Sequence, residues 1–180
     1  MKSLPTSLPG VQLLELDSFG DARGRFMELY RRERYHELGI TTEFVQDNYS
    51  TSTRNTLRGL HHQLHQPQGK LVVVARGEIF DVAVDIRRDS PTFKKWFGAH
   101  LSADNHLQMW IPPGFAHGFL VTSDTADVIY KCTTAYAPAD ERSIRYDDPD
   151  LAIDWPLAGS APILSARDQA APLLASSELP

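Results

Sequence analysis

The apolar positions of this chain fall in short runs with a two-residue period, each closed by a turn signal. Residues 71–75 read Leu-Val-Val-Val-Ala and meet Arg76-Gly77; residues 79–86 run into Asp89-Ser90-Pro91. Residues 94–101 lead to an Ala103-Asp104-Asn105 turn, and residues 107–111 to Pro112-Pro113-Gly114. Residues 115–122, a Ser123-Asp124 turn and residues 128–136 complete the middle of the chain. Strands at this spacing, parted by Gly, Pro, Asn and Asp, predict an antiparallel sandwich or barrel. One helix is predicted over residues 31–38, stopped by Gly39, and a second, short one near Asp168. From Pro149 onward the prolines predict a tail, about residues 150–180, packed over the barrel of a single domain spanning residues 1–180.

Period two also assigns faces. Phe80, Val82, Val84 and Ile86 share one side of their strand, with Ile79, Asp81, Ala83 and Asp85 on the other. In the last predicted strand Tyr130, Cys132, Thr134 and Tyr136 fall together. That face suits either core packing or the wall of a pocket, and alone it favours packing.

Composition narrows the classes. At 180 residues the chain supports one well-cored domain. A formal charge of −5 supplies no basic field for nucleic acid or an anionic membrane. A single cysteine, Cys132, excludes an internal disulfide framework and a multi-cysteine zinc site. The start, MKSLPTSLPG, lacks the apolar core of a secretion signal, and no apolar run is long enough to cross a bilayer as a helix. A cytoplasmic setting is the expectation.

The densest polar cluster is Arg58-Gly59-Leu60-His61-His62-Gln63-Leu64-His65, closed by Gln66-Pro67-Gln68-Gly69-Lys70. Further on, Pro112-Pro113-Gly114-Phe115-Ala116-His117 matches the Pro-x-Gly-x-x-His turn of cupin jelly rolls. Metal-binding cupins add a His-x-His pair and a nearby Glu. Here Gln63 and Leu64 follow His62, and the first Glu after it is Glu78, so no metal site is expected.

Asp21-Ala22-Arg23-Gly24-Arg25-Phe26-Met27-Glu28, Gln46-Asp47-Asn48-Tyr49-Ser50, Leu57–His61 and Gln68–Val72 together resemble the dTDP-4-dehydrorhamnose 3,5-epimerase family. Asp81–Arg87, Pro113–Phe119, Tyr130-Lys131-Cys132-Thr133, Asp147-Asp148-Pro149 and Ser165–Asp168 extend the likeness collinearly over about residues 8–171. The resemblance implies an all-β, cupin-type double-stranded β-helix (jelly roll) with short peripheral helices, a homodimer, and no metal or cofactor. It implies a nucleotide-sugar substrate, dTDP-4-dehydro-6-deoxy-D-glucose, inverted at C3 and C5 on the way to dTDP-L-rhamnose.

That chemistry suits the residues. A C4 ketone acidifies the C3 and C5 protons, and inversion needs a base on one ring face and an acid on the other. The developing charge on O4 needs a cation or donor. By resemblance His61 is the base, Tyr130 the proton donor, Lys70 the enolate stabiliser and Asp168 the carboxylate behind His61. The same transfer gives Arg23, Glu28, Gln46, Asp47, Asn48, Arg58, Lys70, His117, Phe119, Glu141 and Arg167 as substrate contacts, with Tyr136 and Phe26 stacking on thymine. Arginine forks suit a pyrophosphate. Arg167 stands where the family commonly has Lys, and His62 where an aromatic is expected; His62 is read as packing beside the pocket. His36, His65, His100 and His106 are read as structural, Asp85–Arg87 as an ion pair, and Gly24, Gly77 and Gly114 as turn residues.

Arg58 and His61 have opposite parity in a regular strand, so both can face one cavity only across a bulge. Gly59 is the predicted site of that bulge. Three competing readings remain. One is a related 4-keto-sugar epimerase inverting C3 or C5 alone; another is a non-catalytic sugar-binding jelly roll; the third is a metal-dependent cupin oxygenase.

Overall fold

The short apolar runs fold into two facing antiparallel sheets, and the computed structural model describes residues 1–180. One sheet has six strands in the order β1 (Lys2–Leu4), β2 (Gln12–Glu15), β10 (Leu107–Ile111), β7 (Lys70–Arg76), β12 (Thr125–Cys132) and β5 (Gln46–Thr53). The other has five, β13 (Glu141–Ser143), β6 (Leu57–Gln63), β11 (Phe115–Val121), β8 (Glu78–Asp85) and β9 (Trp96–Ser102). A separate two-stranded arm joins β3 (Ser18–Asp21) to β4 (Gly24–Met27). From β5 to β13 consecutive strands alternate between the sheets except at the β8–β9 pair, the wiring of a jelly roll. Two short helices, α1 (Arg32–Glu37) and α2 (Ala166–Gln169), lie outside the sheets. Gly39 follows α1 with φ +82°, a conformation that favours glycine at a helix end.

Face assignment by period two holds. Ile79 and Ala83 point between the sheets, where they meet Val72, Val74, Met109, Phe115 and Val128. Val82, Val84 and Ile86 point the other way, into a cluster with Leu151, Trp155 and Leu174. The C-terminal tail therefore covers a sheet face that would otherwise expose a row of large apolar side chains. Each such side chain stabilises the fold by roughly 1.5–3 kcal/mol when fully buried. The indole N–H of Trp155 donates to the Tyr146 carbonyl at 2.9 Å, so the ring is buried without an orphaned donor. On the far side of the six-stranded sheet, Tyr35 and Ile40 pack on Leu14, Leu71 and Trp110.

The predicted irregularity at Gly59 is present. His117 pairs with His61 and Phe119 with Arg58, so β6 carries one residue more than β11 between these points. Leu57 and Leu60 both reach the outer cluster as a result, while Arg58 and His61 both face the cavity. Gly59 adopts φ +119°, and a Cβ there would lie 2.6 Å from Gly118 Cα and 2.7 Å from the His117 carbonyl oxygen. No other residue fits.

One boundary and one whole strand differ from the sequence pattern. The strand expected to reach residue 136 ends at Cys132, where the chain turns out of the sheet, so Tyr136 is not on a strand with Tyr130. The polar strand β5 was not predicted at all.

Candidate active site

A cavity of about 570 Å³ opens between the two sheets at the end where β6, β7, β11 and β12 meet. The five-stranded sheet supplies Arg58, His61, His117 and Phe119; the six-stranded sheet supplies Gln46, Asn48, Lys70 and Tyr130. Tyr136, Glu141, Arg167 and Asp168 close the mouth from the segments that follow β12 and from the tail. His61 and Tyr130 thus stand on opposing walls of one hollow.

His61 is held from behind. Its Nε2–H donates to Asp168 Oδ1 at 2.6 Å. Asp168 is 4% exposed and sits at the third position of α2, whose N-cap is Ser165. The Ser165 hydroxyl accepts the Asp168 backbone N–H at 3.1 Å and donates to Asp168 Oδ2 at 2.8 Å, a reciprocal cap that fixes the carboxylate. Burial pushes the Asp168 carboxyl up, but the hydrogen bonds from His61 and Ser165 and the Arg167 cation outweigh it, leaving the group below its usual range. With Nε2 engaged, Nδ1 is the His61 nitrogen left to take a proton.

Burial raises the Tyr130 phenol above its ordinary range, so it keeps its proton at neutral pH, as a donor must. Lys70 is 8% exposed, and no carboxylate approaches it within ion-pair distance. Burial lowers its ammonium from the ordinary value, with partial compensation from the field of Cys132, Glu141 and Asp81. A desolvated cation without a carboxylate partner, lining the same cavity as His61, is suited to an oxygen that gains charge.

A second histidine–carboxylate pair lies next to the first across the β6–β11 ladder. His117 Nε2 donates to Asp81 Oδ1 at 2.7 Å, with Asp81 wholly buried and its second oxygen unbonded. Each histidine therefore has its own carboxylate. No three His, Cys, Asp or Glu side chains converge anywhere as a metal-ligand set.

The nucleotide-binding residues expected from sequence divide into two groups. Arg58 anchors its guanidinium on the Ser52 hydroxyl at 3.0 and 3.1 Å, and Glu141 accepts from both the Tyr136 hydroxyl, at 2.7 Å, and Arg167. Asp47 lies off the cavity, because alternation along β5 turns Gln46 and Asn48 inward and Asp47 outward, where Lys131 donates to it at 2.8 Å. Arg23, Phe26 and Glu28 are also elsewhere. Arg23 and Phe26 ride on the β3–β4 arm, Arg23 paired with Asp21 at 2.6 Å and Phe26 68% exposed. Glu28 follows the arm and bonds Arg34 at 3.1 Å.

Sequence reasoning passed over Ser165, Gln63 and Gln68, all of which line the cavity. The Ser-x-x-Asp spacing before a short helix was a readable cap signal for Ser165. Asp81 was readable too, since it shares the inward face of its strand. His62, read as packing, is 3% exposed, lines the cavity and donates to the Glu178 carbonyl at 2.9 Å.

The fold and cavity define a class: a cupin-type jelly roll with an acid–base site built between its sheets. A family description, dTDP-4-dehydrorhamnose 3,5-epimerase, matches residues 5–176. The chain belongs to that family. It is 54% identical over 170 residues to the Pseudomonas aeruginosa dTDP-4-dehydrorhamnose 3,5-epimerase, covering 94% of this chain and 93% of the relative. A dTDP-6-deoxy-D-glucose 3,5-epimerase from Legionella pneumophila, solved in complex with dTDP-4-keto-L-rhamnose, superposes with TM-score 0.95 at 54% identity, covering 97% of this chain and 93% of that one. A 3′-monoepimerase from Streptomyces bikiniensis, in complex with dTDP-quinovose, is more distant, with TM-score 0.88 and 36% identity over 95% of this chain and 87% of that one.

Proposed function

We propose that the cavity converts dTDP-4-dehydro-6-deoxy-D-glucose to dTDP-4-dehydro-L-rhamnose, inverting C3 and C5 in turn. His61 Nδ1 takes the proton from the carbon beside the C4 ketone, and the electron pair of the broken C–H bond moves into an enolate on O4. Lys70 stabilises that oxygen. Tyr130 delivers a proton to the opposite face of the same carbon, the enolate returns to the ketone, and solvent restores both groups. Asp168 holds the imidazole and balances its charge after proton uptake. At the mouth, Arg58 and Arg167 take the pyrophosphate and Tyr136 stacks on the base.

The observation that carries this reading is the placement of a carboxylate-backed imidazole and a proton-retaining phenol on opposite sheets, with a buried ammonium beside them. Greater likeness to the 3,5-epimerases than to the monoepimerase favours inversion at both centres. We further assign a homodimer, a single working domain and a cytoplasmic setting. The dimer is supported by the β3–β4 arm, whose cross-strand pair Phe19 and Phe26 is 64% and 68% exposed and which carries Arg23, remote from this chain's own cavity. A second copy would cover the arm and bring Arg23, Phe26 and Glu28 to a nucleotide.

Incubation with the 4-keto-6-deoxy substrate in deuterated water tests the reaction. Label at both C3 and C5 is expected, and label at C3 or C5 alone would overturn the double inversion. Nucleotide-sugar binding with no exchange at either carbon would show a binding protein instead.

A further inference from the structure

Beyond Cys132 the chain leaves the sheet, and the peptide groups of residues 134–137 lose the ladder that a strand would give them. Backbone polar groups released from a ladder need other partners, and here four of them bond to three glutamine side chains. Gln68 Nε2 donates to the Thr134 carbonyl at 2.5 Å, Gln63 Nε2 to the Ala135 carbonyl at 3.3 Å, and Gln63 Oε1 accepts the Ala137 N–H at 2.9 Å. Gln46 Oε1 accepts the N–H of Tyr136 itself at 2.8 Å.

Gln63 is the centre of this arrangement. It is 4% exposed, grips the backbone on both sides of Tyr136, and donates also to the Gln66 carbonyl at 2.9 Å in the turn after β6. One buried group that gives two hydrogens and accepts a third must be a neutral amide. A carboxylate would turn an oxygen toward two carbonyl oxygens and bring a charge into a desolvated site. Gln63 belongs to the same strand as His61 and pairs with Glu141, which accepts from the Tyr136 hydroxyl. Both ends of Tyr136, its backbone and its phenol, are thus referred to the end of β6.

We infer that Gln63 is a positioning residue for Tyr136: it sets where the ring stands at the cavity mouth, and so the affinity for the nucleotide, without touching the reacting carbons. This rests on Tyr136 being the nucleotide contact proposed above. The test is Gln63→Glu, with Gln63→Asn as the second variant should the first fail to fold, each alone and combined with Tyr136→Ala. The readouts are kcat and KM for the 4-keto nucleotide sugar, and the Kd of dTDP by calorimetric titration. Either Gln63 variant is expected to raise KM and the dTDP Kd about tenfold, the scale of one or two lost hydrogen bonds, with kcat within about threefold. In the Tyr136→Ala background the same change should add almost nothing. A fall in kcat at unchanged KM, or an equal further loss without Tyr136, would overturn the inference. So would dTDP affinity that drops on losing Tyr136 but ignores Gln63. If Tyr136→Ala itself leaves dTDP affinity unchanged, the stacking assignment beneath the inference is what falls.

Discussion

Replacing Asp168 by Asn keeps the side-chain volume and removes the charge that receives the His61 Nε2 proton at 2.6 Å. In the resting enzyme the lost interaction is a hydrogen bond to a charged group, worth about 1.5–3 kcal/mol. When His61 takes the substrate proton, the loss grows, because an imidazolium then faces a neutral amide. Opposite charges ~4 Å apart attract by about 4 kcal/mol at an effective dielectric constant of ~20. The carboxylate is 4% exposed, which limits screening by water and salt. Losing roughly 3–4 kcal/mol of preference for the protonated base corresponds to a fall in kcat of about 10²–10³-fold. Wash-in of solvent deuterium at C3 and C5, followed by proton NMR under saturating substrate, reads this step directly. Both exchange rates should fall together while KM changes by less than about threefold. A variant that is folded, binds dTDP normally and exchanges within about threefold of the parent would refute the assignment of Asp168 behind the base.

Three further outcomes follow from the same geometry. Lys70→Met should lower kcat by about 10²-fold or more and yet raise Tm by a few degrees, since an ammonium without a partner is taken out of a desolvated site; differential scanning calorimetry beside turnover assays checks both halves. Burial depresses the Lys70 pKa, so its burial cost is fully present below the folded value and is relieved as pH rises from that value toward 10.5. His62, whose pKa burial lowers from 6.5, leaves the fold less stable as pH drops below that value, because the unfolded chain accepts the proton more readily. His62→Phe should flatten the decline of Tm between about pH 7 and pH 5. Asp85 holds a pKa of about 2 against 3.8, since bonds from Arg87, Ser90 and Thr92 outweigh the upward push of burial. It stabilises the fold above pH 3.8, and that contribution is lost as pH falls toward 2. Asp85→Asn should cost about 2 kcal/mol at neutral pH, read as a lower midpoint in urea.

The apolar strands were legible because alternation of large side chains records burial directly: parity alone puts Ile79 and Val82 on opposite faces. Strand β5, Gln46–Thr53, was not, because its inward residues line a polar cavity and its outward residues meet solvent, so neither face is apolar. The Gly59 bulge was legible as a conflict of parity between two residues that both needed the cavity. The end of β12 was not, since the bonds replacing the ladder come from glutamines 66 or more positions away in sequence. Of the candidate site, the residues on β6, β7, β11 and β12 meet in one hollow. Arg23, Phe26 and Glu28 do not, since they ride on or just after the β3–β4 arm, and Asp47 does not, since alternation along β5 turns it outward; a likeness to relatives records which residues recur and not where the fold places them.

The carboxylate behind the base belongs to the segment that also roofs the five-stranded sheet. It therefore leaves the ribosome only after every barrel strand has emerged. A nascent barrel already closed at that stage would hold His61 with no counter-ion, and by the reckoning above would abstract protons about 10²–10³-fold more slowly. On the proposed reading, the base gains its carboxylate from a segment made after β13, and so after every strand of the barrel.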